Sequence, residues 1–206
     1  MKISEILKNR KVTVSFEVFP PKEWSKIENT KAVVEEMAKS DPAFMSVTYG
    51  AAGTRTGFTT EIARAIKDCG ITPLSHLTCL TSTKDKIDSV LDEWKAEGIE
   101  NILALRGDIP AGFEFPDGQH FEHAYELVQE IKAKGDFCIG GACYPEIHPE
   151  SANRVEDIQH LKEKVDCGID FLTTQMFFDN EVFFRFKENC LIKGINVPII
   201  AGIMPI

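Results

Sequence analysis

The stretch N-I-L-A-L-R-G-D-I-P, residues 101–110, is an apolar run of strand length that breaks into Arg106, Gly107 and Asp108, with Pro110 preventing any simple continuation of the strand. A short Ile/Leu-rich run between helical stretches has the character of a parallel strand covered on both faces. A polar cluster just past the C-terminal end of such a strand falls where α/β proteins build their sites. The fold therefore turns on whether the other strands end in the same way.

Upstream, residues 12–19 alternate strictly. Val12, Val14, Phe16 and Val18 share one face, Thr13, Ser15, Glu17 and Phe19 the other, and Pro20 and Pro21 end the run. Further strands are predicted at 43–49, stopped by Gly50, and at 72–78, running into the H-L-T-C of residues 76–79. Downstream they fall at 136–142, 171–176 and 197–201. Between them lie helical patterns at 27–38 (Val33, Val34, Met37), 58–68 (Ile62, Ala65, Ile66), 83–97 (Ile87, Val90, Leu91, Trp94), 121–134 and 180–190. Another helix is bounded by Asn153 and Gly168, with Val155, Ile158, Leu161 and Val165 as its buried stripe. This strand–helix alternation implies a parallel sheet, and about 30 residues per unit matches a (β/α)8 TIM barrel of the α/β class. A doubly wound open sheet is the alternative, because spacing alone does not show closure. Such a barrel takes about 250 residues, so the expectation for residues 1–206 is one barrel domain truncated after the seventh strand, with the next helix and the eighth unit absent.

Bulk composition narrows the function. With 43% hydrophobic residues, the 206-residue chain can bury one sizeable core and reads as soluble and globular. Acidic residues outnumber basic ones 32 to 23, for a net charge of -9, which argues against a nucleic-acid surface because phosphate neutralisation needs clustered Lys and Arg. There is no apolar run of about 18 residues, and the first ten residues lack the apolar region of a secretion signal. A cytoplasmic protein without membrane contact is expected. The cysteines at 69, 79, 138, 143, 167 and 190 are scattered and read as reduced thiols. His76 with Cys79 and Cys143 with His148 approach a metal pair, but neither has a second pair at zinc-like spacing, so no metal is expected.

In a barrel the C-terminal strand ends share one rim. That rim collects Glu17, Thr48, Tyr49, His76, Arg106, Asp108, Tyr144, His148 and Gln175, whereas the opposite rim offers Lys11, Asp41, Glu100 and Asp136 as ordinary solvated turn residues. Glu17 shares its face with Thr13 and Ser15, the barrel-interior face, where desolvation could raise its pKa and make it a general acid. The competing reading is a glutamate paired with a rim cation. Asp108 could equally be a turn residue, His76 a hydrogen-bonded core histidine, and Tyr49 and Tyr144 packing groups. No Ser-His-Asp arrangement, P-loop or G-x-G-x-x-G is present.

Six motifs, F-E-V-F-P-P-K (16–22), S-V-T-Y-G-A (46–51), H-L-T-C (76–79), A-L-R-G-D-I-P (104–110), Y-P-E-I-H-P-E (144–150) and T-Q-M-F-F-D (174–179), come in the order found in methylenetetrahydrofolate reductases, and nearly the whole chain resembles that family. The resemblance implies a FAD-containing barrel that reduces 5,10-methylenetetrahydrofolate to 5-methyltetrahydrofolate with NADH or NADPH as donor, and a homo-oligomer at full length. It implies that Glu17 is the acid, that Asp108 tunes the flavin and stabilises cationic folate, that Gln175 binds the pterin and that Thr48 lies at the nicotinamide. It assigns FAD contacts to Tyr49, Ala51, His76, Arg106, Gly107, Asp108, His123, Ala124, Tyr144, His148, Asp157, His160 and Lys164. Two positions depart from the family pattern, His160 where asparagine is expected and Glu163 where arginine is expected. A non-catalytic flavin- or folate-binding fragment or subunit is the other reading. A phosphate-ligand barrel such as an aldolase would rank third, but no strand-end lysine suits a Schiff base.

Overall fold

Seven short runs of apolar residues pair in chain order into a single sheet. In a computed structural model that describes residues 1–49, 56–80, 82–108 and 118–204, these are β1 (Ser15–Val18), β2 (Phe44–Val47), β3 (Pro73–Thr78), β4 (Asn101–Leu105), β5 (Cys138–Cys143), β6 (Phe171–Thr174) and β7 (Ile199–Ile200). Each neighbouring pair is parallel and the order is β1-β2-β3-β4-β5-β6-β7. Helices α2 (Ile27–Ala38), α3 (Thr56–Asp68), α4 (Lys84–Ala96), α5 (Ala124–Lys134), α6 (Arg154–Asp166) and α7 (Asn180–Ile192) form the connections. A doubly wound sheet would reverse its strand order, so this succession is the barrel's, curled and open after β7.

Strand alternation divides the apolar residues into two cores. Met45, Val47, Leu77, Ile102, Ile139 and Leu172 face outward against Ile62, Ile87, Leu91, Trp94, Leu127, Ile131 and Ile158 of the helices. Phe44, Leu74, Leu103, Cys138 and Phe171 face inward and fill the lower half of the barrel. Gly140 lies opposite Leu103 and Phe171 in the register. A Cβ there would sit 2.6 Å from the Phe171 ring and 2.9 Å from Leu103 Cδ1, so the absence of a side chain lets the ring cross β5.

One element is absent from the sequence-derived plan. Helix α1 (Ile3–Asn9) packs Ile3 and Ile6 against the inward core and closes the lower end of the barrel. Buried Asn101 anchors it: its Oδ1 accepts from the Ile3 N–H at 2.8 Å, and its Nδ2 donates to the Met1 and Pro73 carbonyls at 3.1 and 3.2 Å. The Met1 ammonium pairs with Glu100 at 2.6 Å and Lys2 with Asp136 at 2.5 Å. Glu100 and Asp136 stay exposed, as expected of solvated turn residues, so these pairs add little to the anchoring by Asn101.

Other elements differ from expectation at their ends. β1 is only four residues long, and Val12 and Val14 are exposed ahead of it. Helix α5 begins at Ala124 rather than 121, because the Glu126 carboxylate accepts from the Glu122 and His123 N–H groups, both at 2.8 Å, and holds that segment as a cap. Val155 is exposed rather than part of the α6 stripe, which is Ile158 and Leu161 with Val165 half-buried. No described strand covers the outer edges of β1 and β7. All six cysteines are free, and no helix among the described residues is long and apolar enough to cross a membrane.

Candidate functional site

Glu17 sits one residue from the end of β1 on its inward face, opposite Ser46 of β2. Ser46 Oγ donates to Glu17 Oε2 at 3.3 Å, and Nε2 of His76 on β3 lies 3.5 Å from the same oxygen. The Glu17 side chain is 47% exposed and that of His76 8%. Burial pushes the Glu17 carboxyl above its ordinary pKa, against a smaller downward pull from the Ser46 hydroxyl. Burial holds His76 down to about 4, so the imidazole is neutral at pH 7. The chemical consequence is a carboxyl able to keep a proton, above a floor that carries no charge. No lysine or arginine among the described residues is bonded to Glu17, so none of them forms the rim ion pair considered from sequence.

A second cluster joins the ends of β4 and β5. Arg106 makes a two-pronged pair with Glu150, Nη1 to Oε2 at 2.7 Å and Nη2 to Oε1. The Glu150 N–H donates to His148 Nδ1 at 3.2 Å, and the His148 N–H donates to Asp157 Oδ1 on α6 at 3.3 Å. Asp157 Oδ1 also accepts from Ser151 Oγ at 2.9 Å. Tyr144 packs edge-on against His148, ring centroids 4.7 Å apart. Ile147, between them, takes φ 89°, a conformation costing a branched residue about 1–3 kcal/mol and common at ligand sites. Arg106 holds the Glu150 carboxyl below its ordinary pKa, with smaller contributions from His148 and His123. Burial raises the Tyr144 phenol, and the negative charge of Asp108 raises it further. Gly107 adopts φ 85°, and a Cβ there would come within 3.1 Å of Thr78, so the backbone turns tightly at the end of β4.

The remaining sequence-derived candidates fall in varied places. Thr48 follows β2 directly, with its carbonyl accepting from Thr59 Oγ1 at 3.1 Å. Tyr49 points into the outer core beside Ser82, with its phenol raised by burial, so its backbone is what it offers the rim. Asp108 and Gln175 are exposed, and the Gln175 N–H extends the β5–β6 pairing by donating to the Cys143 carbonyl at 2.7 Å. His123 stacks on Tyr125 ahead of α5, which Ala124 begins. His160 is exposed on α6. The Lys164 ammonium donates to the Ala142 carbonyl at 2.5 Å beneath α6, where burial lowers its pKa. Ala51 lies outside the described residues. Ser46 and Glu150 were not singled out from sequence; the strand register would have found Ser46, and Glu150 lies within the quoted 144–150 motif.

The sequence model of the Methylenetetrahydrofolate reductase family matches residues 2–206. The 5,10-methylenetetrahydrofolate reductase of Escherichia coli (strain K12) is 39% identical over 196 residues, covering 95% of this chain and 65% of that protein. The probable methylenetetrahydrofolate reductase (NADH) of Oryza sativa subsp. japonica is 39% identical over 220 residues, covering 100% of this chain and 37% of that protein. The chain thus spans slightly under two thirds of the bacterial relative. Among solved structures, a Clostridium thermocellum protein described as binding two copies of 5-methyl-5,6,7,8-tetrahydrofolic acid superposes with a TM-score of 0.63 at 15% identity, covering 98% of this chain and 69% of that one. A 2,3-dimethylmalate lyase superposes with a TM-score of 0.64 at 7% identity, covering 97% and 77%. At such identities these two superpositions speak for the barrel fold alone.

Proposed function

The chain belongs to the methylenetetrahydrofolate reductase family, and from that membership we propose that it reduces 5,10-methylenetetrahydrofolate to 5-methyltetrahydrofolate with FAD as cofactor and NADH or NADPH as electron donor. Residues 1–206 act as one barrel domain in this reading. The observation that carries it is the Glu17 carboxyl, pushed up by burial and bonded to no cation among the described residues, on the inward face of a rim strand. Glu17 gives its proton to the amine nitrogen that leaves as the methylene bridge opens, which creates an iminium cation able to accept hydride. Asp108, an exposed carboxylate at the end of β4, stabilises that positive charge. The Gln175 amide, with donors and an acceptor, suits the mixed edge of a pterin, and Thr48 meets the nicotinamide.

The residues present fit a flavin dinucleotide. The tight turn at Gly107 allows close approach of a planar ring to backbone, Arg106 supplies a cation for the diphosphate, and Asp157 can accept from ribose hydroxyls. Tyr144 and His148 add an aromatic wall, while Tyr49, Ala51, His76, His123, Ala124, His160 and Lys164 complete the assigned contacts. Bound FAD would relay a hydride equivalent from the nicotinamide to the folate. Arg106 and Lys164 are both already engaged, by the Glu150 carboxylate and the Ala142 carbonyl, so each has to exchange that partner to reach a phosphate.

The purified chain mixed with FAD should retain a flavin absorption spectrum and oxidise NADH or NADPH when methylenetetrahydrofolate is added; failure of both would reject the reading. Glu17→Gln should cut folate reduction by about 10²–10⁴-fold while flavin reduction by the nicotinamide stays within a few-fold of the parent. Equal loss of both half-reactions would remove Glu17 from the acid role. A second reading is a non-catalytic flavin- or folate-binding unit, in keeping with β1 and β7 having no described strand on their outer edges. FAD binding without hydride transfer would select it.

A further inference from the structure

We propose that His76, together with Ser46, is a positioning residue for Glu17: both address the same oxygen, Oε2, and so confine the acid's exchangeable proton to Oε1. The inference rests on Glu17 being the acid of the proposed reaction. Ser46 Oγ lies 3.3 Å and His76 Nε2 3.5 Å from Oε2, and no hydrogen bond from a described residue reaches Oε1. Nε2 is buried and makes no hydrogen bond of its own. A buried ring nitrogen is costly unless it meets a partner, and the tautomer that carries its hydrogen on Nε2 satisfies the ring and Oε2 together. The 3.5 Å separation exceeds a good hydrogen bond, and such contacts at catalytic groups commonly tighten when ligand arrives.

The neutrality of this anchor matters. A cation at the same place would ionise Glu17, whereas an uncharged imidazole and a hydroxyl fix the carboxyl plane and leave its proton in place. The other groups near Glu17 do not substitute for them. On the side of α2 the groove beside Glu17 is lined by uncharged Asn29 and Thr30 and by Lys26, which is paired with Glu23 at 3.5 Å. From β4, Asp108 lies exposed at the same rim. With two donors on Oε2, the proton sits on the carboxyl oxygen away from β2 and β3, where a substrate amine can collect it.

The sign of one titration tests this. In the chain with 13C-labelled Glu carboxyls, the Glu17 resonance is assigned by its loss in Glu17→Gln and followed against pH by NMR. Removing a donor from Oε2 disfavours the ionised form, so His76→Leu should raise the apparent Glu17 pKa by about one pH unit. Ser46→Ala should move it in the same direction, and His76→Gln, which restores a side-chain N–H, should return it toward the parent value. A downward shift in His76→Leu would mean that the ring nitrogen accepts the acid's proton, and it would overturn the proposal, as would no shift in either variant. The titration needs neither flavin nor folate, so its failure is separate from failure of the reductase reading.

Discussion

A histidine held to a pKa of about 4 inside the barrel makes the fold sensitive to acid. Below the ordinary value of 6.5 the unfolded chain protonates this imidazole while the folded chain does not. The unfolded state then binds more protons, and stability falls as pH falls from 6.5 to 4, by about 3 kcal/mol. Glu17 has the opposite sign: its folded pKa is raised, so its contribution is present at low pH and is lost as pH rises through that raised value. Urea unfolding across the window should therefore show a steeper acid loss in Glu17→Gln and a flatter profile in His76→Leu. An unchanged slope in His76→Leu would contradict the buried, neutral assignment. Strict alternation in residues 12–19 made the inward face of Glu17 legible, and the barrel reading made His76 a rim residue. Ser46 was not legible, because a serine inside an apolar run looks like filler until the register sets it opposite Glu17. Glu150 was missed for a related reason, since its partner Arg106 is 44 positions away.

At the scale of elements, the strands and helices of the repeat were readable because each buries one stripe, and the period of that stripe survives in the sequence. Ends were less readable. The start of α5 is set by the Glu126 side chain reaching back to two N–H groups, a local contest that outweighs the apolar Phe121 ahead of it. Val155 falls on the right spacing for the α6 stripe yet is exposed. Helix α1 is the largest omission: Ile3, Ile6 and Leu7 carry helical spacing, but the segment is too short to be stable alone and is held by Asn101 and the lower core. Asn101→Leu removes three hydrogen bonds and strands the Ile3 N–H and the Pro73 carbonyl in a buried setting. We expect a loss of about 2–4 kcal/mol by chemical denaturation, with amide exchange in residues 3–9 accelerating more than in β3 or β4. Uniform acceleration across the sheet would show that α1 is not separately anchored.

At the scale of the whole sheet, no described strand pairs with the outer edges of β1 and β7, and the surface chemistry of the 206-residue chain follows from that. Spacing sufficed to infer a parallel α/β sheet and to favour the barrel, and the chain-order pairing of β1 to β7 is what decides against a doubly wound sheet. What spacing could not show is how the two sides are left. Beside β1 the apolar residues Val12, Val14, Phe19 and Val33 stay exposed, and beside β7 so do Leu191, Ile192, Ile203 and Met204. The N–H and C=O groups of the β1 and β7 outer edges face no described strand, an arrangement that templates pairing with another chain. The net charge of -9 opposes close approach of copies, and screening by salt weakens that opposition. Self-association of the 206-residue chain should therefore grow with concentration and with ionic strength, as measured by light scattering. Val14→Lys combined with Ile192→Lys places a charge at each free side, and the pair should suppress association without changing the thermal midpoint by more than a few degrees, since both positions are exposed. A chain that stays monomeric at every salt concentration, or a double variant that associates as the parent does, would show that the free sides are not the adhesive surfaces.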